Sequence, residues 1–231
     1  MTLYQPESGY CYNSDSLYLY DFISSFKPRG RMLDVGAGCG IVGQLVARDN
    51  EKVELHAVEK QEIFVKYATK NAEVNKIDYK IYHTDFLEFE DKSGFDYIVS
   101  NPPFYHDGAS RSEDEILFNA RYNINLPMKE FFAKVSRLLK HQGHFIFCYD
   151  AKQFALVCAE LSHAKLRVVD VQFVHSKSDR KASLVMLHVR KNSKSLLNVY
   201  PPFIAFEGDE FSKASMALYE KARTNSIKCQ I

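Results

Sequence analysis

No apolar run in the 231-residue sequence approaches the roughly 18 residues of a membrane-spanning helix. The first residues, Met1-Thr2-Leu3-Tyr4-Gln5-Pro6-Glu7, lack the basic and then apolar regions of a secretion signal. Both absences lead to the expectation of a cytoplasmic protein that does not engage a membrane. Cysteine is sparse: positions 11, 39, 148, 158 and 229 make an odd set without CxxC spacing, which argues against a disulfide framework and against a zinc site. Cys148 and Cys158 sit in apolar contexts and are expected to be small core residues, and no metal is expected. Charge of one sign is lacking too, because 30 basic residues face 29 acidic ones, and the resulting +1 is weak support for an electrostatically driven nucleic-acid binder. Repeats, low-complexity segments and Ser/Gly linkers are missing. With 46% hydrophobic and 26% charged residues the chain suits one compact domain, or a domain with a small appendage, and we expect a monomer.

What the sequence does contain is an alternation of short apolar strands and amphipathic helices. Strands are expected at residues 31–35, 53–58, 79–83, 95–100 and 144–149, with helices at 41–49, 62–75 and 129–140 between them. Gly143 is expected to end the last of these helices. A helix near 152–163 and two late strands, 168–174 and 183–189, complete the pattern. Such alternation predicts an α/β fold: a doubly wound, mostly parallel seven-stranded sheet in which a late hairpin adds an antiparallel strand. Three parts follow: a cap segment and helix at 1–30, the main domain at 31–192, and a carboxy-terminal extension at 193–231 packed on it.

In open sheets of this kind ligands bind beyond the carboxyl ends of the strands, where strand order reverses, so the first and fourth strands lie side by side there. Two loops therefore adjoin one crevice. After the first strand comes Asp34-Val35-Gly36-Ala37-Gly38-Cys39-Gly40, whose glycines allow a tight turn and close approach to a ligand. After the fourth comes Asn101-Pro102-Pro103-Phe104. The amine of adenine, or an amide nitrogen, delocalises its lone pair and is a poor nucleophile until acceptors hold both its hydrogens. The Asn101 side chain and the Pro102 carbonyl supply two acceptors, and the prolines stiffen the turn so that they point outward. Phe104 offers a surface on which a flipped base stacks. The two loops together read as an S-adenosylmethionine-dependent methyltransferase acting on a conjugated NH2 group.

For the donor, Glu59 lies nineteen residues beyond Gly40 at the end of the second strand, placed for the ribose hydroxyls. Asp85 ends the third strand, placed for the adenine amine, with Phe86 against the ring; alternatively Asp85 is a turn or capping residue. Gly38-Cys39-Gly40-Ile41-Val42-Gly43 also matches the dinucleotide pattern GxGxxG, but a nicotinamide enzyme has no use for Asn101-Pro102-Pro103-Phe104, and the match begins two residues after the first glycine of the turn.

The segment 33–40, Glu59, Asp85-Phe86 and the 101–104 tetrapeptide resemble class I methyltransferases that modify amino groups, over about residues 30–190. A narrower resemblance is to the bacterial tRNA1(Val) adenine N(6)-methyltransferase family. Gln5, Gly9-Tyr10, Tyr12, Asp15 and Leu17 look like that family's amino-terminal signature, which closes over the cofactor. Asn119-Ala120-Arg121 looks like its Ala-Arg pair, and the ending Pro201-Pro202-Phe203-Ile204-Ala205-Phe206-Glu207-Gly208-Asp209 is also similar. The resemblance implies S-adenosylmethionine as cofactor and an RNA substrate, with tRNA first. It implies donor contacts from Tyr10, Asp15, Asp34, Gly36, Gly38, Gly40, Glu59, Asp85 and Phe86, and substrate contacts from Pro103, Phe104 and Arg121. Two departures stand out: Cys11 replaces a basic residue, and Lys60 an acidic one.

Read without the family, Asp15 caps a helix that starts beside it, and Tyr10 is a half-buried aromatic. Arg121 either clamps a substrate phosphate or pairs with Glu113 or Glu115. Between His175 and Lys194, Lys177, Arg180, Lys181, Arg190, Lys191 and Lys194 face only Asp179. They form either a phosphate-contacting patch or an ordinary solvated hairpin. Protein glutamine and ribosomal RNA guanine remain alternative substrates, because both present a similar NH2.

Overall fold

The computed structural model describes residues 1–7, 11–102 and 126–231. Tyr10, Pro103, Phe104 and Arg121 lie outside the described residues. The central sheet runs β4 (Tyr79–His83), β3 (Val53–Glu59), β2 (Gly30–Val35), β5 (Phe95–Ser100), β6 (Leu139–Asp150), β8 (Ala182–Lys191) and β7 (Leu166–His175). All neighbours are parallel except β8, which is antiparallel to both β6 and β7. The strand-order reversal expected from the sequence falls between β2 and β5. Two short strands, β9 (Asn198–Val199) and β10 (Phe203–Ile204), add parallel to the far side of β7 and extend the sheet to nine strands.

Helices cover both faces of this sheet, as buried parallel strands require. α1 (Ser14–Ser25) and α2 (Ile41–Asp49) pack on one face, where Leu17, Leu19, Tyr20, Ile23, Leu45 and Val46 join Met32, Val99 and Ile146 in one apolar cluster. α4 (Met128–Leu138) packs on the other face with α5 (Phe154–His163), through Phe131, Phe132, Val135 and Leu138 on α4 and Val157 and Leu161 on α5. α3 (Glu62–Asn75) contributes Phe64 and Tyr67, which pack with Cys39 in a third, smaller cluster under the glycine turn. Each such side chain removed from water stabilises the fold by about 1.5–3 kcal/mol. Among the described residues no helix is long and apolar enough to cross a membrane.

Two local expectations are corrected. Gly143 does not end α4: the helix stops at Leu138, Leu139 is already extended and pairs with Phe95, and Gly143 lies inside β6. A Cβ there would sit 3.0 Å from the Lys140 carbonyl and 3.2 Å from that of Phe95, so the position demands glycine for close packing. Nor does Asp15 cap α1. Asn13 is the cap, its side chain accepting from the Asp15 N–H, and Asp15 stands in the first turn.

The two ends of the chain are joined. β1 (Thr2–Gln5) pairs in parallel with β13 (Asn225–Lys228). Its other edge is completed by side chains rather than by a strand. Asn71 and Asn75, one turn apart on α3, each accept from and donate to the β1 backbone, at Tyr4 and Thr2 respectively. Asn71 also donates to the Cys39 carbonyl, fastening β1 to the glycine turn. Between β10 and β13 the chain makes a tight hairpin, β11 (Phe206–Glu207) with β12 (Glu210–Phe211), and then α6 (Lys213–Ala222), which lies against α1.

Candidate active site

β2 and β5 are in register with Val35 opposite Ser100, so Gly36 and Asn101 leave the sheet as neighbours. Tyr12, Ser16, Asp34, Gly36, Ala37, Gly38, Cys39, Ile41, Val42 and Asn101 line a single cleft there. The glycine turn and Asn101 thus share one hollow. Gly36 has a φ of +67° and a Cβ built on it meets nothing within 4 Å, so the turn opens onto free space. Gly40 has a φ of +84° and a Cβ there would sit 2.5 Å from the Gln44 amide, which places α2 hard against the turn.

Two carboxylates support the turn from below. Asp34, 2% exposed, accepts from the Gly43 N–H at 2.9 Å in the first turn of α2. Burial, together with the nearby Glu59 charge, pushes its carboxyl up to about 7. Glu59, 6% exposed, accepts from Gly38 N–H through Oε2 and from Gln61 N–H through Oε1, each at 2.9 Å. Burial also raises its pKa, against the effect of those N–H groups. Each oxygen keeps a lone pair for a further donor such as a ribose hydroxyl.

Asp85 accepts from Leu87 N–H through Oδ1 and pairs with Lys60 Nζ through Oδ2, both at 2.9 Å. The lysine is more than half exposed, so the pair is worth at most about 1 kcal/mol and yields to a better-placed donor. Phe86 is placed differently from the expectation. Its ring is 5% exposed, in the core edge-on to Phe131 at 5.5 Å, so the side chain packs the fold rather than facing the cleft. Asp15, one residue before Ser16, does not itself line the cleft; its pKa is raised by burial and its Oδ2 accepts from Asn13 Nδ2.

Asn101 is the end of a short network. Its Nδ2 donates to Ser16 Oγ at 3.1 Å, and its Oδ1 accepts from the Cys148 thiol at 2.9 Å. Pro102 follows, buried. The sequence reading gave Tyr12 only as part of the amino-terminal signature and missed Ser16 as a cleft residue. The one signal for Ser16 was position: the chain between Gln5 and α1 must pass the carboxyl edge of β2 to bring α1 onto its face.

The basic segment does not form one patch. Lys177, Arg180 and Lys181 lie in the β7–β8 turn, which the strand directions place on the same edge of the sheet as Asn101. Arg190, Lys191 and Lys194 lie at the other end of β8, about 30 Å away for a ten-residue strand. There Lys191 is spent on the carbonyls of Ser136 and Leu139, and Arg190 donates to that of Gln142. At the site edge Lys177 pairs with the fully exposed Asp209, while Arg180 stands 4.0 Å from Asp179. Among the described residues no cluster of His, Cys, Asp or Glu is placed to hold a metal ion.

Comparison with known proteins agrees with this geometry. A tRNA1(Val) (adenine(37)-N6)-methyltransferase of Dyadobacter fermentans is 26% identical over 182 residues, 78% of this chain and 75% of that protein. One of the same name from Actinobacillus succinogenes is 29% identical over 168 residues, 71% of this chain and 70% of that protein. In fold, a predicted O-methyltransferase of Agrobacterium tumefaciens superposes with a TM-score of 0.70 at 16% identity, covering 93% of this chain and 100% of its own. Residues 16–155, from the first turn of α1 through β6 into α5, match the methyltransferase small domain, and the chain belongs to that family of methyltransferases.

Proposed function

We propose that the chain transfers a methyl group from S-adenosylmethionine to the 6-amino group of an adenine in RNA, with tRNA as the substrate. The observation that carries this reading is the emergence of Asn101 and Gly36 side by side over one cleft. The residues suit the donor: the open space above Gly36 admits a ligand against the backbone, Glu59 presents carboxylate oxygens beside the turn, and Asp85 pairs with Lys60, the residue after Glu59. Gly36, Gly38, Gly40 and Asp34 shape the floor, and the likeness of the amino-terminal signature assigns Tyr10 and Asp15 to the donor as well. Bound there, the donor supplies a sulfonium methyl that is already an activated electrophile.

The chain's own part is positioning. Asn101 Oδ1 and the Pro102 carbonyl accept the two hydrogens of the target amine, favouring a pyramidal nitrogen with its lone pair aimed at the methyl. Pro103 fixes the turn and Phe104 stacks on the base. The surplus proton leaves to water after transfer, so no strong base is needed, in keeping with the capped Asp34 and Glu59 carboxylates. Arg121 and the site-edge cations Lys177, Arg180 and Lys181 contact the RNA backbone. Relatives named as tRNA adenine N6-methyltransferases support the choice of nucleotide.

The test is to incubate the protein with labelled donor and unmodified tRNA and digest the product to nucleosides. Label in N6-methyladenosine is expected. Label in methylguanosine, or on protein glutamine, would replace the substrate while keeping the chemistry.

A further inference from the structure

An asparagine that works through its side-chain oxygen has a weakness: rotation by half a turn about the Cβ–Cγ–amide bond swaps an acceptor for a donor. An NH2 group turned toward a substrate amine would repel it. Something must therefore fix the rotamer, and it must do so without consuming both lone pairs of the oxygen.

Among the described residues two groups hydrogen-bond to the Asn101 carboxamide, and they meet both conditions. Ser16 is 2% exposed in the first turn of α1, and its Oγ accepts from Asn101 Nδ2 at 3.1 Å. This hydroxyl has no capping duty, because Asn13 serves the helix terminus. Cys148, fully buried near the end of β6, donates its S–H to Asn101 Oδ1 at 2.9 Å. The turned-over carboxamide would set NH2 against sulfur, a weak acceptor. Burial holds the Cys148 thiol well above its usual pKa, so the sulfur keeps the proton it donates. A thiol is also a weak donor, which leaves the carbonyl oxygen electron-rich. One lone pair goes to sulfur, and among the described residues no donor takes the other.

We infer that Ser16 and Cys148 are positioning residues that lock the Asn101 carboxamide with one oxygen lone pair free toward the cleft. The inference rests on the acceptor role proposed for Asn101. It also gives the amino-terminal segment a second task, since α1 brings to the cleft both its wall and the group that orients the acceptor.

The experiment combines single-turnover methyl transfer, donor affinity by calorimetry, and NMR of the protein labelled with 15N at asparagine side chains. Ser16→Ala is expected to slow transfer about 5- to 10-fold, the loss of one hydrogen bond, with donor Kd within twofold of wild type. Cys148→Ala is expected to slow it several-fold, and Cys148→Ser to recover most of that loss by restoring a donor. In the wild-type spectrum one Asn101 Nδ2 proton should exchange slowly with solvent, and Ser16→Ala should remove that protection. Unchanged transfer in both alanine variants would overturn the inference. Donor affinity falling in step with rate would also overturn it, pointing to a collapsed cleft. If Ser16→Ala fails to fold, the wild-type spectrum decides, and Nδ2 protons that both exchange fast with solvent would refute the lock. A wild-type protein that methylates no RNA yet shows the protected Nδ2 proton would refute the proposed function and leave the lock standing.

Discussion

The Ser100 hydroxyl donates to the Val35 carbonyl at 2.8 Å, tying the last residue of β5 to the last residue of β2 at a fully buried point. Beyond this tie the two backbones diverge, one into the glycine turn and one into Asn101-Pro102. The separation of the glycine turn from Asn101 is therefore set by strand register, the stiffest part of the fold, and not by the loops themselves. The following outcomes are expected.

Replacing Asn101 by Ala should lower kcat by about 100-fold or more, the usual consequence of removing a group aimed at the reacting centre. Donor affinity should stay within about threefold of wild type, because the floor and carboxylates of the donor site are untouched. Isothermal calorimetry with donor, alongside methyl transfer to tRNA, separates the two. A large loss of donor affinity with turnover preserved would contradict the role.

Gly36→Ala should reduce stability by about 1–2 kcal/mol, the cost of a left-handed backbone in a residue with a side chain. The new methyl meets no protein atom within 4 Å and projects into the free space above the turn, so donor affinity should fall at least tenfold. Gly40→Ala meets Gln44 at 2.5 Å and should lower stability further. Urea unfolding and donor titration of both variants check the order.

The Asp34 carboxyl is pushed from its ordinary 3.8 up to about 7 by burial. Between those values the folded protein binds a proton that the unfolded chain has released. Its contribution is thus fully present below about pH 4 and is lost as pH rises through about 7. Asp34→Asn keeps an acceptor for the Gly43 N–H without the charge, so its advantage over wild type should grow from pH 4 to pH 8, approaching about 4 kcal/mol at most. Chemical denaturation of both proteins across that range measures the difference, and parallel curves would show that Asp34 does not titrate there.

Neutralising Lys177, Arg180 and Lys181 together should weaken tRNA binding and reduce the slope of log affinity against log salt by about 2 to 3. Neutralising Lys194, at the far end of β8, should leave that slope unchanged. Filter binding over a salt series distinguishes them, and equal effects would mean that the RNA reaches both ends of the sheet.

Much of this architecture could be read in advance because it depends on local order. Alternating strands and helices imply a parallel sheet, and a parallel sheet with one reversal makes neighbours of residues 35 and 100. The carboxylates at 34, 59 and 85 stood out because each lies within two residues of the carboxyl end of a strand. Other features depend on contacts that sequence spacing does not carry. Ser16 and Cys148 reach Asn101 from segments 85 and 47 residues away. Phe86 looked like a cofactor residue by its place after Asp85, but an aromatic at a strand end is equally suited to the core, and Phe131 claims it. Gly143 looked like a helix stop, whereas close backbone approach inside a strand asks for the same residue. The basic segment looked like one patch because its charges are close in sequence, whereas a hairpin strand long enough to cross the sheet separates them.

The strand at the start of the chain is held by partners that arrive very late. Gln5 meets Ser226 across 221 residues, and the amino group of Met1 donates to the Arg223 carbonyl across 222. Closing so long a loop costs chain entropy before any contact returns it, so these pairings belong to the slow end of folding. The central sheet has its own shorter-range pairings and is free to assemble earlier. A refolding molecule should thus pass through a stage in which the strands of the central sheet are already in place while the first strand still lacks its partner, and the meeting of β1 and β13 marks the final event rather than the first.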